Sequence, residues 1–323
     1  MAANTPELDL LVKRRTDETG DIVSLELVSS SGEDLPAFTA GSHIDVYVPG
    51  GPVRQYSLCN DPGERNRYVL GILRDPSSRG GSLGIHTHVQ QGDLLQVSEP
   101  RNHFSLDESA QHSVLLAGGI GVTPILSMAR RLSALGHSFE MHYCTRSRAN
   151  TAFAAQIAES PFAEKVQHHF DDGPREQLLN IPDVFAAPKE GVHVYVCGPG
   201  GFMDAVLDTA KEAGWQESQL HSEFFSADAG VLEGDGSFQL VLAKSGKTVV
   251  VGAAETAVDA LAAAGIEVPV SCEQGVCGTC LTKVLEGEPE HRDMYLTPDE
   301  QAANTQFLPC CSRSKTPTLI VEL

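Results

Sequence analysis

Four cysteines constrain this chain more than any other feature. Cys272, Cys277 and Cys280 fall in "SCEQGVCGTCLTKV" with the spacing C-x4-C-x2-C, and Cys310 follows in "FLPCCSRS" after 29 further residues. A loop that gathers three thiolates, with a distant segment supplying the fourth, suits two sulfide-bridged irons, the arrangement of a plant-type [2Fe–2S] centre. Such a loop must wrap closely round a compact inorganic core. Gly275 and Gly278 let the backbone curl and turn amides toward sulfur, and Ser271 and Thr279 add hydrogen bonds that tune the potential. A zinc site would pair two short cysteine knuckles, which Cys310 supplies only through its neighbour Cys311. A thioredoxin-like thiol pair would open a long helix, whereas "CGTC" runs into "LTKVLEG", a strand pattern. Disulfides belong to oxidising compartments, and "MAANTPELDLLVKRRTDETG" lacks the basic-then-apolar order of an export signal. The expected location is therefore cytoplasmic. On a strand, Cys310 and Cys311 would face opposite ways and only one would reach a cluster; the spacing does not say which.

A chain of 323 residues has room for two or three cores. In the first hundred residues, "DIVSLELVS", "SHIDVYV", "RYVLGIL" and "DLLQVS" alternate or run apolar between Gly, Pro, Asn and Asp turns. Six or so such segments predict a small antiparallel β-barrel over 1–105. From His112 the pattern becomes buried strand, glycine turn, helix, and it recurs to "HSEFF", which predicts a parallel α/β domain over 106–225. The small, acidic run "SADAGVLEGDG" reads as a linker at 226–236. The remainder, 237–323, pairs a hairpin about "KSGK", a short helix in "TAVDALAAAG" and a closing strand in "KTPTLIVEL" with the cysteine loop, as a third, α+β domain.

Charge narrows the partners. Forty-three acidic against 23 basic residues leave a net charge of −20, which argues against nucleic acid or an anionic membrane and suits a protein with a basic patch. The longest apolar stretches are too short and too rich in glycine to span a bilayer.

Two glycine turns carry the next signal. "LLAGGIGVTPI" sets Gly118, Gly119 and Gly121 between a buried strand and a helix whose first turn holds Thr123 and Pro124; "VCGPGGFM" repeats the unit with Cys197 and Gly198. Free amides at such helix starts receive a diphosphate, and two turns at the C-terminal ends of parallel strands flank one crevice, as a dinucleotide site requires. Cys197 is either a buried strand-end thiol or a group touching the reactive ring. In "VRQYSLCN", Arg54 suits a phosphate, Tyr56 a flat ring and Ser57 a ring heteroatom, although a barrel rim would use the same residues. Arg79, Gly80, Gly81 and Ser82 form a phosphate nest or an ordinary loop. The twelve histidines show no metal spacing.

In this order the segments resemble the ferredoxin–NADP reductase superfamily. The whole chain is similar to the phthalate dioxygenase reductase and vanillate O-demethylase reductase family, which runs flavin domain, NAD domain, then C-terminal plant-type ferredoxin (β-grasp) domain. The resemblance implies an NADH-dependent oxidoreductase that passes electrons through FMN and a [2Fe–2S] cluster to a terminal Rieske-type oxygenase. A cytochrome P450 acceptor, or a non-enzymatic ferredoxin-like carrier or sensor, are the rival readings, and a monomer is expected. By resemblance, "RQYSL" gives Arg54, Tyr56 and Ser57 to the flavin, and "RGGS" gives Arg79, Gly80, Gly81 and Ser82 to the phosphate of FMN rather than FAD. "GGIGVTP" and "CGPGGFM" put Thr123 and Cys197 near the nicotinamide, and "HSEFF" makes Phe225 the aromatic that covers the flavin. "PCCSRS" selects Cys310 as the fourth ligand with Cys272, Cys277 and Cys280. Arg146 and Arg148 in "YCTRSR" stand where ribose specificity is decided and would tolerate a 2′-phosphate.

Overall fold

The computed structural model describes residues 7–76, 78, 80–225, 232 and 234–323. They divide into two compact units, one ending at Glu223 and the other running from Phe224 to Leu323. The first unit opens with β1 (Glu7–Asp17), β2 (Ile22–Ser29), β3 (Ser42–Tyr47), β4 (Val53–Ser57), β5 (Tyr68–Leu73), α1 (Gly81–His88), β6 (Leu94–Ser98) and β7 (Arg101–Asn102). These strands form one antiparallel sheet in the order β4-β3-β6-β1-β2-β5, with β7 on β3. Alternate residues such as Leu25 and Leu27, Ile44 and Val46, and Leu70 and Ile72 point into a single core, as a period of two demands. Beyond β4, Leu58 makes an antiparallel bridge to Leu70 of β5. The sequence pattern misses β1, which pairs with both β2 and β6. Its alternation is broken by a bulge between Val12 and Arg14 and by the basic run from Lys13 to Arg15.

The unit continues with β8 (His112–Gly118), α2 (Val122–Leu135), β9 (Phe139–Thr145), α3 (Ala154–Ala158), β10 (Val166–Phe170), α4 (Ile181–Val184), β11 (Val192–Cys197), α5 (Gly200–Glu212) and β12 (Leu220–Glu223). All strand pairs are parallel, in the order β10-β9-β8-β11-β12. The β8 strand is buried beyond His112, α2 is buried from Val122 to Ala129, and the helix stops at Gly136 in the left-handed region, a glycine cap. From β8 the chain winds one way to β9 and β10, then crosses to β11 and β12 on the other side. The order therefore reverses between β8 and β11, where open parallel sheets leave a crevice at the strand ends.

The second unit holds β13 (Phe238–Leu242), β14 (Thr248–Val251), α6 (Ala257–Ala263), β15 (Thr282–Glu286), β16 (Pro289–Glu290), α7 (Pro298–Ala302), β17 (Gln306–Phe307), β18 (Arg313–Ser314) and β19 (Thr318–Val321). Its mixed sheet runs β14-β13-β19-β15-β17, and β16 pairs with β18. Leu240, Val251, Leu261, Phe307 and Leu319 fill the core beneath α6, whose start is fixed by a reciprocal Thr256–Asp259 capping box. Most of the expected linker lies outside the described residues. Its end is anchored: Asp235 accepts two hydrogen bonds from Arg292, at 2.9 and 2.6 Å, and lies 3.4 Å from the Arg313 guanidinium. Arg292 holds the Asp235 carboxyl down to about 2. Arg313 also donates to the carbonyls of Gly236, Gly252 and Glu255. Among the described residues no helix is long and apolar enough to cross a membrane.

Candidate functional site

The two glycine turns interlock. A Cβ on Gly121 would stand 2.2 Å from the carbonyl oxygen of Cys197 and 2.6 Å from the amide nitrogen of Gly198, and one on Gly118 would meet Pro199 and Phe202 at 2.9 Å. Only hydrogen atoms let the two backbones approach so closely. Gly118, Gly119, Gly121, Cys197 and Gly198 thus line one edge of the crevice between β8 and β11, and the starts of α2 and α5 turn toward it. Thr123 is buried in the first turn of α2 with Pro124, and its hydroxyl donates to Ile120 O at 3.0 Å. Its methyl reaches the other sheet, 2.7 Å from a Cβ placed on Gly71 of β5.

On the antiparallel sheet, Arg54 and Gly81 come together although 26 residues separate them: a Cβ on Gly81 would lie 2.7 Å from the Arg54 Cγ. Gly80, at φ 90°, opens α1 in a conformation other residues resist. The Ser82 hydroxyl accepts from the Asp75 amide at 3.1 Å, which ties the loop into the helix start. Arg79 lies outside the described residues. Tyr56 packs against the sheet's core, and burial pushes its phenol well above the ordinary range. A glycine floor under a guanidinium beside a helix start is a donor set that fits a phosphate monoester.

Ser57 ends β4 buried, and its hydroxyl donates to the Glu223 carboxylate at 3.5 Å. Glu223 ends β12 in register with Cys197 at the end of β11. Burial lifts Glu223 to about 8, with the Ser57 hydrogen bond acting the other way. Burial first, and the nearby Glu223 charge second, lift the Cys197 thiol well above its usual range. Cys197 is thus an un-ionised thiol. The sequence singled out Ser57 and Cys197 but gave Glu223 no role; its mark was its place in "HSEFF", two residues before Phe225. Phe225 itself belongs to the second unit.

In the second unit the cysteine loop curls through three left-handed residues, Glu273, Gly275 and Gly278. Cys272 hydrogen-bonds Cys277, and Cys280 hydrogen-bonds Cys310. The four expected ligands thus fall into two pairs, as two irons with two thiolates each require, with Cys311 beside the second pair. Amides of Gln274 and Thr279 donate to Cys272 and Cys277 at 3.3 and 3.5 Å, and the Gly275 amide acts on Cys310. The loop therefore has the sulfur donors and amide dipoles that a [2Fe–2S] core needs. Cys310 and Cys311 sit in a turn after β17 and not on a strand, so strand alternation does not choose between them. Cys310 meets Cys280 as well as its neighbour Cys311, and the Cys311 thiol is buried and points to Leu308 O at 3.6 Å. Over the loop lies a segment the sequence did not mark. Tyr295 sits where a Cβ on Gly278 would be, 2.2 Å away, and the Met294 amide donates to Gly275 O at 3.0 Å. Both side chains are about half exposed.

Comparison with known proteins agrees with this layout. Residues 240–315 match the 2Fe-2S iron-sulfur cluster binding domain family, and 97–220 match the N-terminal domain of dimethylamine monooxygenase subunit DmmA-like proteins. Vanillate O-demethylase oxidoreductase of Pseudomonas sp. (strain HR199) is 52% identical over 303 residues, covering 94% of this chain and 96% of that one. The structure of phthalate dioxygenase reductase superposes with a TM-score of 0.82 at 40% identity over 98% of each chain. An intact type IV self-sufficient cytochrome P450 monooxygenase superposes at 0.78 with 40% identity, over 98% of this chain and 41% of that one. The chain belongs to the phthalate dioxygenase reductase and vanillate O-demethylase reductase family.

Proposed function

We propose that this chain is the NADH-dependent flavin and [2Fe–2S] reductase of a two-component oxygenase, passing electrons to a terminal Rieske-type oxygenase that acts on an aromatic or related substrate. The observation that carries the proposal is the meeting of Ser57, Glu223 and Cys197 beside the interlocked glycine turns, in a chain that also holds a paired four-cysteine loop. In this reading 1–105 is the FMN-binding barrel, 106–225 the NAD domain, 226–236 the linker and 237–323 the ferredoxin domain. When bound, FMN takes two electrons from NADH and the cluster passes them on singly.

The protein supplies order and electrostatics. Arg54, with Arg79, Gly80, Gly81 and Ser82, binds the FMN phosphate, while Tyr56 and Ser57 hold the ring. Gly118, Gly119, Gly121, Pro124 and Gly198 take the dinucleotide's diphosphate, and Thr123 and Cys197 border the nicotinamide. Phe225 is the aromatic that the family resemblance assigns to the flavin ring. A neutral Cys197 and a Glu223 that is mostly protonated below pH 8 keep negative charge away from the transfer zone, and Glu223 orients the Ser57 hydroxyl by accepting its hydrogen bond. Cys272, Cys277, Cys280 and Cys310 hold the cluster. The chain works as a cytoplasmic monomer.

Purified holoprotein should reduce ferricyanide and cytochrome c with NADH, and acid extraction should release FMN. Absence of NADH-dependent reduction would sink the enzyme reading, and recovery of FAD would sink the assignment of Gly80–Ser82. The similarity to a self-sufficient P450 monooxygenase favours a P450 acceptor as the second reading. Electron delivery to a purified Rieske oxygenase, set against delivery to a P450, separates the two.

A further inference from the structure

The loop after β9 leaves the same edge of the parallel sheet as the two glycine turns, because Cys144 is in register with Gly118. It carries Arg146 and Arg148, both exposed, and ends at Phe153. The loop is stitched from within: the Thr145 and Thr151 hydroxyls lie 2.9 Å apart and both donate to Ser147 O, and Ser147 bonds the Asn150 side chain at 2.7 Å. What holds its far end is unusual. Phe153 is fully buried yet stands at φ 59°, a conformation that a bulky residue adopts only when its surroundings enforce it.

The enforcing group comes from the other sheet. Glu18, in the turn after β1, accepts from the Phe153 amide at 3.0 Å through Oε2. Its Oε1 accepts from the Ser24 hydroxyl of β2 at 2.7 Å and from the Gln156 side chain of α3 at 3.3 Å. The Phe153 ring closes on Gly71 of β5, where a Cβ would come within 3.0 Å of it. Ser24, Glu18 and Phe153 therefore form one chain of contacts from the antiparallel sheet to the arginine loop.

We infer that Glu18 is a positioning residue for the adenosine end of the dinucleotide: by clamping Phe153 it sets where Arg146 and Arg148 stand, and so sets the choice between a ribose 2′-hydroxyl and a 2′-phosphate. The inference rests on the nucleotide reading above. It makes nucleotide selection depend on a carboxylate in the turn after β1, outside both the glycine turns and the arginine loop.

Steady-state reduction of ferricyanide by the holoprotein, with NADH and with NADPH, tests it. Glu18→Ala should raise KM for NADH about tenfold, the scale of one lost hydrogen bond to a charged acceptor, and alter the NADH-to-NADPH ratio while kcat holds. Glu18→Gln keeps an acceptor for the Phe153 amide and should restore KM to within about threefold. Ser24→Ala, which loosens Glu18 without removing it, should move KM the same way by less, and it decides the matter if Glu18→Ala does not fold. Unchanged KM values for both nucleotides, or a fall in kcat in step with lost flavin, would overturn the inference. A wild-type protein that oxidises neither nucleotide overturns the nucleotide reading instead.

Discussion

Replacing Gly121 by alanine tests whether the two glycine turns are one site. The φ of Gly121 is −60°, ordinary for alanine, so backbone strain contributes nothing and the whole effect is steric. The new methyl would lie 2.2, 2.4 and 2.6 Å from the Cys197 oxygen, the Cys197 carbonyl carbon and the Gly198 nitrogen, all of them main chain. No rotamer change relieves that contact. Restoring van der Waals separation requires the turns to part by roughly 1 Å. Overpacking of this kind costs about 1–3 kcal/mol of stability. A displacement of that size at a bound reactant lowers rate by about 10²-fold. Stopped-flow bleaching of the flavin by NADH should show the loss, while dithionite still bleaches it at the wild-type rate. Gly201→Ala is the folding control. Nothing lies within 4 Å of its new methyl, and alanine in the first turn of α5 should leave the thermal midpoint unchanged or raised. If Gly121→Ala kept NADH-dependent bleaching within about threefold of wild type, the idea of a single crevice built on close backbone approach would fail.

Two further perturbations separate the remaining assignments. Cys310→Ser should abolish the cluster's visible absorbance while NADH still bleaches the flavin, whereas Cys311→Ser should keep the cluster and lose only packing; the reverse outcome would exchange their roles. Glu223→Gln should stabilise the protein increasingly with pH. Between about 4.5 and 8 the native carboxyl holds a proton that the unfolded chain has released, so wild-type stability falls as pH rises through that window and levels off above it. Urea midpoints that track each other for the two proteins from pH 5 to 8 would refute a buried, proton-holding Glu223.

Patterns local in sequence were readable, and contacts between distant segments were not. The α/β alternation from His112 and the hairpin, helix and closing strand of the C-terminal unit follow from period and turn residues a few positions apart. The strand β1 was obscured by one bulge and three basic residues. Helix α7 is a five-residue element marked only at its start, by a capping box of Thr297 with Glu300 and by Pro298 in its first turn. In the site, motif residues were legible because glycines, a thiol and an arginine are chemically rare in such patterns. Glu18 meets Phe153 across 135 positions, and Ser57 meets Glu223 across 166. Nothing near either acid in the chain announces its partner. The same limit applies to Tyr295, whose place over Gly278 depends on how the segment folds back.

The carboxylate of Asp235 lies between two arginines three residues before the first strand of its unit, and this decides where the unit can be cut. A graft that began at Phe238, the obvious boundary by secondary structure, would discard Asp235, the carboxylate that Arg292 and Arg313 share, leaving Arg292 with Glu290 as its acid partner. It would also remove Gly236, whose carbonyl Arg313 holds. Any transplant of this electron carrier onto a different reductase or oxygenase must therefore begin no later than Asp235.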